Sequence, residues 1–175
     1  MDACYVTKIN SPLGYLTLSS DGENITGLWI EGQKYFGSTL LPGARAADLA
    51  AFSRARAWLD AYFSGARPDS TPPLLARGSA FQTAVWAQLS AIAYGQVTSY
   101  GQIARRLQAQ TGRPVSARAV GGAVGRNPIS ILIPCHRVVG ADGGLTGYAG
   151  GLERKKYLLR LEGARVKGLY PPPGP

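Results

Sequence analysis

Histidine and cysteine are nearly absent from this chain: one histidine and two cysteines occur among 175 residues. Cys4 and Cys135 stand far apart, which does not look like a disulfide framework and fits a reducing compartment, so the expected location is the cytoplasm. Long apolar runs are missing too. No stretch reaches the length of a membrane span, and the N-terminus lacks the basic-then-apolar pattern of a secretory signal, so no membrane partner is expected. Carboxylates are scarce: 10 Asp and Glu face 19 Lys and Arg, for a net charge of +9. The basic residues concentrate after Arg105 and favour a polyanion partner, most simply nucleic acid; general solubility is the other reading. No internal repeat is visible. The length suits one domain or two small ones, and an apolar fraction of 45% is enough for a core.

The scarce residues converge on one stretch, Ile131-Leu132-Ile133-Pro134-Cys135-His136-Arg137-Val138-Val139. Its β-branched run reads as a short buried strand that Pro134 ends, since proline has no N–H for the ladder. Cys135 then lies at the strand exit, beside the only histidine. A thiol paired with an imidazole can form a thiolate near neutral pH. A cysteine in an apolar run also fits a small core residue, and neighbours in a strand face opposite sides, so adjacency alone leaves both readings open.

Upstream, Tyr5 to Ile9, Tyr15 to Ser19 and Ile25 to Ile30 read as strands of an antiparallel meander with turns at Ser11-Pro12-Leu13-Gly14 and Asp21-Gly22-Glu23-Asn24. Cys4 at its edge reads as structural. Ala44 to Phe63 reads as a helix with Leu49, Phe52, Leu59, Tyr62 and Phe63 largely on one face. The Pro-, Gly- and Ser-rich segment 65–79 marks a boundary.

Beyond it, Ala80 to Ala93 is helical, with Val85, Leu89 and Ile92 inward and Trp86 beside them. Ser99 with Gln102 forms a capping-box pattern opening a helix to about Gln110, with Ile103, Ala104 and Leu107 buried. A break at Thr111-Gly112-Arg113-Pro114 precedes a short helix, Ser116 to Val124, with Ser116 as N-cap. Helix, break and helix in a basic region outline a helix-turn-helix or an ordinary helical hairpin. Arg118, flanked by Ala117 and Ala119, suits insertion into a minor groove and base stack, or a place in solvent over a tight contact. Asn127 can brace the turn before the central stretch. The segment 140–151 is a glycine-rich loop whose aromatic, Tyr148, can cover a flat ligand. Leu152 to Glu162 is a final helix, ended by Gly163, and Glu162 is the acid best placed to orient His136 or else a solvated helix-end residue. The Pro-rich end, 171–175, is expected to be a disordered tail.

Taken together, Pro134-Cys135-His136-Arg137-Val138, Val-Thr-Ser-Tyr-Gly at 97–101, Ala-Arg-Ala-Val-Gly-Gly at 117–122, Asn127-Pro128, Gly147-Tyr148 and Leu161-Glu162-Gly163 resemble the O6-alkylguanine-DNA alkyltransferases, also called methylated-DNA–protein-cysteine methyltransferases. The match runs from about Phe81 to Gly163 in shared order and spacing. In the N-terminal half only Ser-Pro-Leu-Gly at 11–14 is diagnostic.

The resemblance implies an α+β fold: an N-terminal domain, 1–78, with a ribonuclease-H-like antiparallel sheet and helix, and a C-terminal helical domain, 79–170, with a winged-helix-like helix-turn-helix. It implies direct, single-use transfer of an alkyl group from guanine O6, and also raises O4-methylthymine as a substrate, with no cofactor and no metal. The partner is double-stranded DNA containing O6-alkylguanine, bound by a monomer, with clustering along DNA left open. The implied nucleophile is Cys135, ionised in a pocket that admits one extruded purine. His136 is the base through one water, Glu162 the third member of a triad, and Tyr100 the proton donor to leaving guanine. Arg118 fills the gap left by the flipped base, Tyr100 crowds the adjacent phosphate, and Ser116, Ala117 and Ala119 line the minor groove. Main-chain groups at Cys135, Val138 and Ala149 read the guanine, with Asn127 and Tyr148 in the same pocket.

The departures from the family pattern are three. With Cys4 the only N-terminal cysteine and no histidine there, the structural zinc of some relatives cannot form. Ala149 stands where the family often has Ser, and the segment 108–114 looks longer than in some relatives. Two alternatives remain: a sensor that binds alkylated DNA without repairing it, against which the intact Cys135, His136 and Glu162 argue, and a Cys–His hydrolase or thiol redox sensor, which leaves Arg118 unexplained.

Overall fold

The computed structural model describes residues 4–170; the tail expected at 171–175 lies outside them. The chain divides into two units, Met1–Arg77 with Pro128–Leu132, and Gly78–Asn127 with Ile133–Pro175.

In the first unit β1 (Tyr5–Ile9), β2 (Leu16–Ser20) and β3 (Ile25–Ile30) form the expected meander, in antiparallel register from Ile9↔Leu16 and Leu16↔Ile30. Side-chain chemistry closes both turns. Ser11 Oγ donates to Gly14 O at 2.6 Å, and Asp21 Oδ1 accepts the Glu23 and Asn24 N–H groups at 3.0 and 2.8 Å. A fourth strand, β4 (Arg45–Ala46), pairs parallel to β1 and makes the sheet order β3-β2-β1-β4. It also corrects the helix expected from Ala44. The open edge of β1 takes Arg45 and Ala46, Leu49 is still extended (φ −124°, ψ 146°), and α1 runs only over Ala50–Phe63. Phe52, Ala55, Leu59 and Tyr62 are its buried face.

The strand expected at 131–133 is absent. Extended pairing occurs earlier, at Ile129, which bridges Leu28 of β3 in parallel. Leu28 N–H donates to Pro128 O and Ser130 N–H donates to Leu28 O, each at 2.9 Å. The next amides fold onto their own chain. Leu132 N–H reaches Ser130 O and Cys135 N–H reaches Ile133 O, both at 2.8 Å, so that two three-residue turns replace a ladder. Pro134 (φ −81°, ψ 67°) has the geometry of an inverse γ-turn, whereas Ile131 sits at φ +71°, a strained place for a buried β-branched residue.

The second unit contains α2 (Ala80–Ser90), α3 (Tyr100–Thr111), α4 (Ala117–Gly125) and α5 (Leu152–Leu161). Capping boxes at Ser79/Gln82 and Ser99/Gln102 start α2 and α3, Ser116 Oγ accepts Ala119 N–H to start α4, and Gly112 ends α3 in the left-handed region at φ +67°. Ile103, Ala104 and Leu107 of α3 are buried as their spacing predicts. Trp86 Nε1–H donates to Ala123 O at 2.9 Å, tying α2 to α4. The helix expected to reach Ala93 stops at Ser90. The pair β5 (Thr98–Ser99) and β6 (Val138–Val139) is parallel, with Thr98↔Val138 and Ser99↔Val139. Among the described residues no helix is long and apolar enough to cross a membrane.

Candidate active site

The β5–β6 pair positions the chemistry. Tyr100 follows β5 directly at the head of α3, and Cys135–Arg137 forms a 3-10 turn directly before β6, so two backbone pairings bring these neighbouring segments together. A 3-10 turn sets neighbouring side chains about 120° apart, so Cys135 and His136 need not diverge as they would in a strand. Val138 N–H donates to Cys135 O and closes the turn.

Glu162 is the hub. It lies at the C-terminal end of α5, where the helix dipole disfavours a carboxylate. Four donors offset this. Oε1 accepts from His136 Nε2 at 2.7 Å and Arg137 Nη2 at 3.0 Å, and Oε2 accepts from Arg137 Nε at 2.9 Å and Gly95 N–H at 3.1 Å. Arg137 uses its remaining arm on Ile92 O at 2.6 Å, which accounts for the carbonyl just past α2, and it lies 5.8 Å from the Tyr94 ring centroid. Burial alone would push the Glu162 carboxyl up, but the hydrogen bonds and charges of His136 and Arg137 outweigh it and hold the group well below the usual carboxylate range. Burial pushes His136 down, and Glu162 pulls it back only in part. The expected His136–Glu162 pair is therefore present, and the sequence reading missed Arg137. A signal existed: an Arg inside an apolar run needs a carboxylate, and only Asp142, Glu153 and Glu162 follow residue 78.

Cys135 differs from expectation. The residue is 4% exposed, and burial pushes its thiol up, the direction opposite to the expected ionisation. Opposing this rise are the Asn127 amide, the charge of Lys155 and the Tyr148 hydroxyl. Asn127 also donates from Nδ2 to Ile133 O at 2.8 Å, so one side chain braces the turn and faces the sulfur. Asn127→Ala should cost about 1–3 kcal/mol, the usual consequence of stranding a buried carbonyl, and raise the thiol pKa. Urea unfolding and the pH dependence of Cys135 carboxamidomethylation, read by peptide mapping, check the two parts. Tyr148 Oη is buried in the 140–151 loop, and burial together with Cys135 pushes it far up. Tyr100, half-buried, is raised by burial and by Cys135, and its Oη accepts from Thr146 Oγ1 at 3.3 Å. Val138 is buried and Ala149 half-buried, and the Val138 carbonyl already accepts from Lys155 Nζ. A carbonyl has a second lone pair and can take another donor.

Ser116, Ala117, Arg118 and Ala119 form the exposed first turn of α4. The formal charge of residues 78–175 accounts for the whole positive excess of the chain, since the earlier residues balance. Asn127, Tyr148 and Tyr100 act on Cys135, His136 is bonded to Glu162 and shares the 3-10 turn with Cys135, and the first turn of α4 is exposed.

Family models match both halves: 6-O-methylguanine DNA methyltransferase, ribonuclease-like domain, over residues 4–76, and its DNA binding domain over residues 80–164. The methylated-DNA–protein-cysteine methyltransferase of Haemophilus influenzae is 44% identical over 163 residues, covering 93% of this chain and 88% of that protein. That of Mycobacterium tuberculosis (strain H37Rv) is 47% identical over 162 residues, covering 90% and 92%. The crystal structure of Mycobacterium tuberculosis OGT in complex with DNA is similar with a TM-score of 0.79 at 43% identity, over 94% of this chain and 96% of that one.

Proposed function

The chain belongs to the 6-O-methylguanine DNA methyltransferase family, and on that premise we propose how its own residues carry the reaction. The protein repairs alkylated DNA by moving the alkyl group onto one of its own cysteines. Cys135 is that cysteine. The observation that carries the assignment is His136 Nε2 at 2.7 Å from a buried carboxylate, with Cys135 in the same three-residue turn.

With Nε2 committed to Glu162, Nδ1 is the nitrogen that takes the thiol proton, through one water. Sulfur then attacks the O6-methyl carbon. An S–C bond forms, the C–O6 bond breaks, and its electron pair goes to guanine. Tyr100 Oη donates a proton to the departing base, near N3, and is itself restored by solvent. The imidazolium formed is stabilised by Glu162, which Arg137 keeps ionised. Because the sulfur is covered in the free protein, the 140–151 loop with Tyr148 gives way to the purine before transfer. Val138 and Ala149 main-chain groups then meet the guanine edge.

The target atom is stacked in the duplex, so the base rotates out, at a cost of a few kcal/mol that a poorly paired lesion reduces. Arg118 occupies the vacated stack, and Ser116, Ala117 and Ala119 lie along the minor groove. Work on DNA with two free thiols suits the cytoplasm.

Mass spectrometry of the protein after incubation with duplex containing O6-methylguanine tests this reading. One methyl per chain, mapped to Cys135 and never turning over, is the expected result. Unmodified protein that still binds the duplex would favour the sensor reading, and a methyl on another residue would overturn the assignment of Cys135.

A further inference from the structure

Lys155 is a buried charged group that the transfer reaction above does not use. It is 0% exposed on α5. Its ammonium donates to three carbonyls, Val138 O of β6 and, from the 140–151 loop, Thr146 O at 3.2 Å and Gly147 O at 3.3 Å. Among the described residues no carboxylate forms an ion pair with it. A cation taken fully out of water is costly unless a negative group compensates it, and three carbonyl dipoles supply only part of that compensation. One residue links it to the backbone of Cys135: Lys155 holds the C=O of Val138, and the N–H of Val138 donates to Cys135 O.

We propose that Lys155 is the counter-charge of the Cys135 thiolate, a positioning residue whose buried ammonium is left incompletely compensated at rest so that ionised sulfur completes it during transfer. The inference rests on Cys135 being the nucleophile. The electrostatics are those of such a pair: Lys155 draws the thiol down, while burial lowers Lys155 to about 8 against the opposing pull of Cys135. Other groups face the pair. Tyr100 comes from the head of α3 and Asn127 from the loop after α4. Tyr148 comes from the 140–151 loop, itself influenced by Arg154, and His136, with Arg137 and Glu162 behind it, comes from the 3-10 turn. The phenols and the Asn amide are neutral near pH 7, and the two arms of the Glu162 network largely cancel. Lys155 is thus the cation that the thiolate sees most directly, and the two titrate as a unit.

The test is the single-turnover transfer rate from O6-methylguanine duplex, followed from mildly acidic to alkaline pH, for the wild type, Lys155→Met, Lys155→Gln and Lys155→Arg. Melting temperature and duplex affinity are measured alongside. Loss of the charge should raise the apparent pKa governing the rate by about one unit and slow transfer at neutral pH about tenfold in the Met and Gln variants. Affinity for duplex should stay within about twofold, because the side chain is buried. Lys155→Arg keeps the charge and should retain the wild-type pH profile even if its rate falls. A Met or Gln variant that is slower by the same factor at every pH, or an Arg variant shifted as far as Gln, overturns the proposal. If the Met variant does not fold, the contrast between Gln and Arg decides. Absence of methyl on wild-type Cys135 would instead sink the reading of the nucleophile, so the two failures are distinguishable.

Discussion

Glu162→Gln should lower the stability of the protein by about 3–5 kcal/mol at neutral pH, the range seen when one partner of a buried ion pair is removed. Glutamine fills the same volume but presents one acceptor oxygen and an NH2 group. The Arg137 fork then loses one of its two charged contacts, and the amide nitrogen points a donor at a donor. The pH dependence identifies the cause. A carboxyl held low in the folded protein contributes stability that is fully present above its unfolded value, about 4.3, and is lost as pH falls toward the folded value. His136 acts at higher pH with the same slope. Its folded pKa is depressed, so the unfolded chain binds the extra proton first and stability declines as pH drops below about 6.5. Wild type should therefore weaken in two steps on acidification, and Glu162→Gln should lack the lower one. Transfer should also slow by about 100-fold or more, the usual scale for losing general base assistance, since His136 without its carboxylate is a still weaker base. Urea midpoints across pH and single-turnover rates measure both effects. A variant as stable as wild type with an unchanged rate profile would show that the hub has no part in ionising Cys135.

Much of this site was legible because its residue types are rare. One histidine stands beside one of two cysteines, Glu162 at the end of the last helix is the acid best placed to orient it, and the resemblance through Leu161-Glu162-Gly163 implies its place in a triad. Caps were legible where a side chain announces them, as at Ser99 and Ser116. The same rule predicts the Ser79–Gln82 box, which the composition of the segment 65–79 obscured. The errors share a physical origin. Ile131-Leu132-Ile133 has strand propensity, but propensity describes a fit to a pleated surface, and these amides bond locally instead. Arg45 and Ala46 have no strand signal; the free edge of β1 recruits them. Lys155 carries no signal of burial in the sequence, because charge usually means solvent, and only the fold reveals the carbonyls that hold it inside.

Arg118→Ala should slow repair of duplex O6-methylguanine by about 100-fold while leaving reaction with the free base within about twofold. The argument is one of location. Arg118 lies in the exposed first turn of α4, between two methyl side chains, so its removal should change stability by less than about 0.5 kcal/mol. Its work is confined to the extruded state of the base. If a guanidinium stacked in the vacated position supplies about 2–3 kcal/mol of the cost of unstacking, its loss appears as about 30- to 150-fold on duplex and not on a substrate that needs no extrusion. Lys in its place keeps the charge without the planar surface and should fall between wild type and alanine. Salt dependence separates this role from a phosphate contact. A lost phosphate contact would reduce the slope of affinity against salt by about one charge and weaken all sequences alike, whereas loss of a stacked plug leaves most of the slope intact. Equal losses on duplex and free base, or a rate that follows affinity alone, would remove Arg118 from base extrusion and reduce the α4 turn to a backbone anchor.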